Sequence, residues 1–71
     1  MSLERVENGQ RVQVVTTNAE GILMGKLASL GIVPGAEIEV LHNSLHGAFV
    51  ISCKGSRFVL GRGIATAIQV H

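Results

Sequence analysis

Leu27-Ala28-Ser29-Leu30-Gly31-Ile32-Val33-Pro34-Gly35 (LASLGIVPG, residues 27–35) dictates a helix, its exit and a tight turn in one uninterrupted stretch. Lys26, Leu27, Ala28 and Ser29 all continue a helix, Gly31 follows Leu30 where a left-handed residue is wanted, and Ile32 adds an apolar residue one step further on. That order specifies a Schellman stop, in which the hydrophobe beyond the glycine packs back on the last helical turn. Pro34 presets φ for the second position of a turn, and Gly35 supplies the positive φ that a type II turn needs at its third. Gly31, Pro34 and Gly35 are therefore structural turn residues, and a strand is expected from Ala36.

Working outward, residues 11–16 (RVQVVT), 37–42 (EIEVLH), 48–53 (AFVISC), 57–60 (RFVL) and 67–70 (AIQV) are short β-branched runs separated by Gly, Asn or Ser, and read as five strands. Strict alternation over Glu37, Ile38, Glu39 and Val40 turns Ile38 and Val40 to a core and leaves both carboxylates in water, and residues 11–14 do the same. Short strands, tight turns and one helix between the first and second strands suit a mainly β fold, a small, partly open barrel of about five strands, better than a sandwich.

At 71 residues the chain is read as one domain spanning 1–71. A chain of this size buries only about 60% of its unfolded surface, so stability is modest. Its single cysteine excludes an internal disulfide. With no charged and apolar leader pattern and no long hydrophobic span, the expectation is a cytoplasmic protein that does not insert into a membrane.

Hydrophobic residues make up 46% of the chain and charged ones 15%, an apolar balance for so small a domain. Leu41 and Val15 break the alternation of their strands, and Val50 and Val59 fall opposite Phe49, Ile51, Phe58 and Leu60. In the helix, Leu23, Leu27 and Leu30 form one stripe, which Ile22, Met24 and Ala28 widen. These residues either complete a thin core or form a contiguous apolar patch for a partner or a second copy. Met24 and Leu27 are the first candidates for that patch, with Leu30 beside them and Lys26 on its rim.

Reactive chemistry is scarce. Asp, Tyr and Trp are absent, and no Ser, His and carboxylate arrangement is visible, so no catalytic role is expected. Cys53 shares the alternation of Phe49 and Ile51 and reads as a small buried hydrophobe. His42 and His46, joined by Glu39 or His71, are weak candidate metal ligands; a closed site needs about four ligands at fixed geometry, and solvated loop histidines are the expectation. Lys54, Arg57 and Arg62 gather in the second half, but six basic against five acidic residues give a net charge of +1, and both aromatics, Phe49 and Phe58, sit at core positions. Nucleic acid is not an expected partner. Gly61-Arg62-Gly63 matches no phosphate-binding fingerprint and reads as a sharp turn between strands, with Ile64 tucked under the barrel.

The Gly9-Gln10 start, the helix ending in Leu-x-x-Leu-Gly-Ile-x-Pro-Gly (27–35), the Glu/Val strand, the late Lys-Gly-Ser-Arg-Phe-x-Leu-Gly-Arg-Gly-Ile-Ala (54–65) and the closing Ile-x-Val together resemble the FeoA family, from about residue 3 to residue 70. The resemblance implies an SH3-like β-barrel with a helical insertion, no catalysis, no cofactor, and a role as accessory to FeoB, the bacterial membrane GTPase that moves Fe(II). Taken with the apolar helix face, it leads to the expectation that Met24, Lys26, Leu27 and Leu30 bind the transporter's cytoplasmic GTPase region or membrane part, with a peripheral place at the inner membrane. A related domain lies at the C-terminus of DtxR-type metal-dependent repressors, so the second reading is a self-associating regulatory module, a homodimer closed by the same surface. This chain has Asn8 where many members have Pro, and Gly21-Ile22-Leu23-Met24-Gly25-Lys26 where many have an Arg-rich first helical turn, which makes its partner surface more apolar.

Overall fold

The computed structural model describes residues 1–44 and 46–71. Residues 27–35 adopt the conformation that their order dictates. Gly31 has φ +84°. Its N–H donates to the Ala28 carbonyl at 3.0 Å and the Ile32 N–H to the Leu27 carbonyl at 2.9 Å, the paired bonds of a Schellman motif. Leu27 and Ile32, the residues so brought together, are 2% and 1% exposed. Beyond them the Ala36 N–H donates to the Val33 carbonyl at 3.0 Å across Pro34 and Gly35, and Gly35 has φ +90°, as a type II turn requires.

The chain runs β1 (Arg11–Thr17), α1 (Ile22–Ser29), β2 (Glu37–Asn43), β3 (Phe49–Cys53), β4 (Ser56–Leu60), α2 (Arg62–Thr66) and β5 (Ile68–Val70), after an N-terminal 3-10 turn at Leu3–Arg5. The strands form one five-stranded sheet of order β4-β3-β2-β1-β5, antiparallel throughout. All five expected strands are present, with ends displaced by a residue: Ala48 and Ala67 lie outside β3 and β5, and Ser56 lies inside β4. β1 changes partner along its length, residues 11–13 pairing with 37–39 and residues 14–17 with 68–70. That hand-over curls the sheet into a partly open barrel.

Both breaks in hydrophobic alternation are β-bulges. The register shifts between Val14 and Thr16 against β5, and between Val40 and His42 against β3, so Val15 and Leu41 are the extra residues. A bulge sets two residues opposite one, so an apolar residue can follow another without moving the rest of the strand to the wrong face. β3 and β4 are joined through Lys54 and Gly55, at φ 52° and 82°, the two positive angles of a type I′ hairpin.

The core holds Ile38, Val40, Phe49, Ile51, Cys53, Ile68 and Val70 from the sheet, Leu27 and Ile32 from the helix exit, and Leu3, Val6 and Ala65 from the two ends of the chain. α2 packs on the Leu3–Arg5 turn and on β5. The expected sharp Gly61-Arg62-Gly63 turn is instead the start of this helix: Gly61 is extended at φ −69°, ψ 148°, so neither glycine is needed for a left-handed angle. Ala65 is the residue under the barrel at 0% exposed, with Ile64 half-buried beside it.

Asn43 fastens this end. Its Nδ2 donates to the Glu4 and Val6 carbonyls at 2.8 Å each, its N–H donates to Asn8 Oδ1 at 2.6 Å, and its Oδ1 accepts from Arg62 Nη2 at 2.5 Å. The same Nη2 donates to the Ser44 carbonyl. The guanidinium lies over the Phe49 ring, 5.8 Å from its centroid, within cation–π range.

Three stability outcomes follow from these geometries. Gly31→Ala puts a side chain at positive φ with its Cβ 3.0 Å from Lys54 Cδ; it lowers unfolding free energy by about 1–2 kcal/mol in urea titration. Gly25→Ala, in a helix interior with open space around the new Cβ, raises it by about 0.5–1 kcal/mol. Asn43→Ala strands two carbonyls and frees Arg62, lowering the urea midpoint by the equivalent of about 2–3 kcal/mol.

Candidate functional site

α1 forms because Leu23, Leu27 and Leu30 recur at helical spacing, and it docks through that stripe: Leu27 is buried, while Leu23 and Leu30 are half-buried against the core. Its own reinforcement is slight. The N-cap is Gly21 at φ 61° with no side-chain cap, the first turn has no acidic residue, and Gly25 sits mid-helix. The Schellman exit and the leucine stripe hold it in place.

The opposite face is apolar yet solvated. Gly25, Ala28 and Ser29 form its centre, and Ile22 and Met24, 91% and 50% exposed and about 160° apart around the helix, stand at its two margins, with Lys26 one turn from Ile22. Of the four residues expected to form the partner surface, Met24 and Lys26 lie outside, Leu30 is half-buried, and Leu27 is enclosed in the core. Leu27 is therefore corrected from a surface anchor to the pin that fixes the helix, because a three-leucine stripe has one inward centre and Leu27 occupies it. Ile22, read from the sequence as a widening of the stripe, is the most exposed large hydrophobe in the described chain. Such a face can dock by apolar contact with one cation at its margin.

Other candidates separate in space. Arg62, one of the three cations gathered in the second half of the sequence, is turned into its contacts with Asn43, Ser44 and Phe49 and away from Lys54 and Arg57. Lys54 instead lays its side chain over Gly31, with Nζ near the C-terminal end of α1, where a cation is favoured. Cys53 is 1% exposed, with Sγ 3.8 Å from the Gly31 carbonyl. His42 and His46 are both exposed, and Glu39 pairs with Arg11 at 3.8 Å. Among the described residues no three His, Cys, Asp or Glu side chains are grouped so as to hold a metal ion.

The surface also carries two open concavities. One is lined by Glu4, Glu7, Asn8, Asn43 and Arg62, whose amide groups are spent on the fastening described above; the other, lined by Arg11, Glu37, Glu39, Ser52, Lys54 and Gly55, is a charge-balanced face of the sheet. Among the described residues no helix is long and apolar enough to cross a membrane. The Asn43–Arg62 pairing and the outward Ile22 have no local sequence signal: the first joins residues 19 apart, and the second turns on which way the helix is rolled.

Comparison with known proteins places this geometry. The FeoA domain model matches residues 1–71. A curated protein of Methanocaldococcus jannaschii that carries the provisional name Fe(2+) transport protein A is 38% identical over 65 residues, covering 92% of this chain and 78% of that protein. The crystal structure of an iron uptake regulatory protein, FeoA, superposes with a TM-score of 0.88 at 34% identity, covering 99% of this chain and 92% of that one. FeoA of Stenotrophomonas maltophilia, crystallised with zinc and described as an SH3-domain protein, shares the fold at a TM-score of 0.88 and 21% identity, over 100% of this chain and 89% of that one. A manganese-dependent transcriptional repressor shares it at a TM-score of 0.85 and 23% identity, over 96% of this chain and 39% of the repressor. A match over the whole chain, a relative well above 30% identity and an SH3-like barrel closed by the same helix and turn make this chain a member of the FeoA family.

Proposed function

We propose that this protein is a non-catalytic cytoplasmic accessory of ferrous iron uptake that docks the outer face of α1 on the cytoplasmic part of an FeoB-type membrane GTPase. The observation that carries the reading is the pair Ile22 and Met24, 91% and 50% exposed at the two margins of the outer side of one short helix, with Lys26 one turn from Ile22. An isolated exposed hydrophobe is ordinary; two that flank a strip of small residues on one helix make a shallow seat that a partner helix can approach closely. Fully burying such side chains is worth roughly 1.5–3 kcal/mol each, enough for a reversible contact and too little for a permanent one.

The mechanism is differential binding. A contact that fits one conformation of the GTPase or its channel better than another shifts the population between them by the difference in affinity, with no need for the accessory to touch iron or nucleotide. Family membership and the Fe(2+) transport names of the relatives support iron uptake as the setting. The helix face supplies the means.

Isotopically labelled protein titrated with the transporter's cytoplasmic GTPase region, with and without a GTP analogue, should show amide shifts concentrated in residues 21–30. Replacing both Ile22 and Met24 by Glu should weaken binding by about 10- to 100-fold while leaving unfolding free energy within about 0.5 kcal/mol of the parent. Undiminished binding by the folded double variant would sink the assignment. Leu27→Asp, by contrast, places a charge in the core and unfolds the domain, so it reports on stability alone.

A further inference from the structure

A partly open barrel has two strand edges, and this one treats them differently. Along β5 lies the N-terminus: the Val70 N–H donates to the Met1 carbonyl at 2.8 Å, the Met1 ammonium donates to the Val70 carbonyl at 3.2 Å, and Ser2 bridges to Gln69. β4 pairs with β3 on one side and with no strand on the other. The Lys54-Gly55 turn makes Cys53 and Ser56 a hydrogen-bonded pair, so by antiparallel alternation Phe58 and Leu60 also bond to β3, whereas Arg57 and Val59 direct their N–H and C=O groups outward. Among the described residues no backbone hydrogen bond reaches those outward groups. Val59 is 71% exposed, and Phe58, whose strand neighbour Leu60 is buried, is itself only half-buried.

We propose that the β4 edge pairs with the β4 edge of a second copy of this chain, antiparallel about a two-fold axis at Phe58. In that register Arg57 of each copy faces Val59 of the other, and the outward N–H and C=O groups of both residues are exchanged. A two-fold at Arg57 sets like charges directly opposite, which is destabilising. A two-fold at Val59 calls on Gly61, whose carbonyl already accepts from Ile64 and Ala65 in α2. The Phe58 axis uses groups that nothing else claims. It also brings two Phe58 rings together as a directly opposed pair with the closer, non-hydrogen-bonded spacing, where aromatic pairs are favourable. Each Arg57 stem covers a Val59 of its neighbour. With β5 covered and β4 open, pairing ends at two copies and does not run on as a filament. One strand pair is smaller than the interfaces of permanent dimers, so association is weak and concentration-dependent. It uses none of the α1 surface residues and stands independently of the transporter reading.

A concentration series of labelled protein, read for tumbling time and for amide hydrogen exchange, tests this residue by residue. Tumbling time should rise roughly twofold from micromolar to near-millimolar protein as two copies associate. Over the same range the Arg57 and Val59 amides should gain about tenfold protection or more, with Phe58 and Leu60 protected at every concentration. Val59→Pro deletes an outward donor and spares the ladder to β3, and Val59→Lys places a charge on the edge; both should stay folded and monomeric. Constant tumbling with freely exchanging Arg57 and Val59 amides, or association that survives in a folded Val59 variant, overturns the proposal. So does association lost in the Ile22 and Met24 double variant but kept in the β4 variants.

Discussion

The bond from the Ile32 N–H to the Leu27 carbonyl, possible only because Gly31 is left-handed, is the constraint on which the rest of the fold depends. It reverses the chain so that Leu27 and Ile32 enter the core together. It then delivers Val33-Pro34-Gly35 against β1, where the Gly35 N–H donates to the Val14 carbonyl at 2.7 Å and the Val14 N–H to the Ala36 carbonyl at 2.9 Å. Those two bonds start β2 in register with β1, and β3 and β4 are laid down in turn from β2. The Lys54 side chain over Gly31 and the Cys53 Sγ beneath its carbonyl bring the β3–β4 hairpin to the same point. Helix, first sheet pairing and hairpin thus meet at one glycine.

The far end of the barrel is secured by different physics. The core itself contains no buried polar residue among those described, so apolar burial there is non-directional and leaves the N-terminal turn and α2 free to slide. Asn43 removes that freedom by bonding to backbone on the N-terminal turn and to Arg62 on α2 at once. Asn8 adds an acceptor that a proline at that position lacks, since its side chain caps the Asn43 N–H. The departure from the common family pattern is therefore occupied with holding the end of β2.

What the sequence made legible follows from how local each cause is. The helix stop, the type II turn and the strands are set by residues within a few positions of one another, and each lies where its residues place it. The alternation breaks at Val15 and Leu41, read from the sequence only as apolar excess, are the two bulges, because a bulge is the way a strand accommodates an extra apolar residue. α2 was hidden because five residues with Gly63 among them show too little helical period to be distinguished from a turn. The inward contacts of Arg62 were not legible, because charge is visible in a sequence and an inward orientation is not. The roll of α1 was the consequential ambiguity: Leu27, Met24 and Ile22 are equally apolar as letters, and only the position of the sheet decides that the first is inside and the last almost wholly exposed.

The apolar excess in the composition consequently has a distribution. The charged residues Arg11, Glu37, Glu39 and Lys54 gather around one concavity of the β1–β2–β3 face, where opposite signs lie near one another. Apart from Met1 and from Val15 at the β1 bulge, the exposed large hydrophobes fall elsewhere, on the outer side of α1 and on β4. Both are elements that the core holds from one side: α1 by its leucine stripe, β4 by its hairpin with β3. An element held from one side keeps its second side available, at little cost to the fold when that side is altered. A domain too small to enclose all its apolar residues thus keeps the remainder where substitution is tolerated and contact with another molecule is geometrically open, which is the division of labour an accessory protein requires.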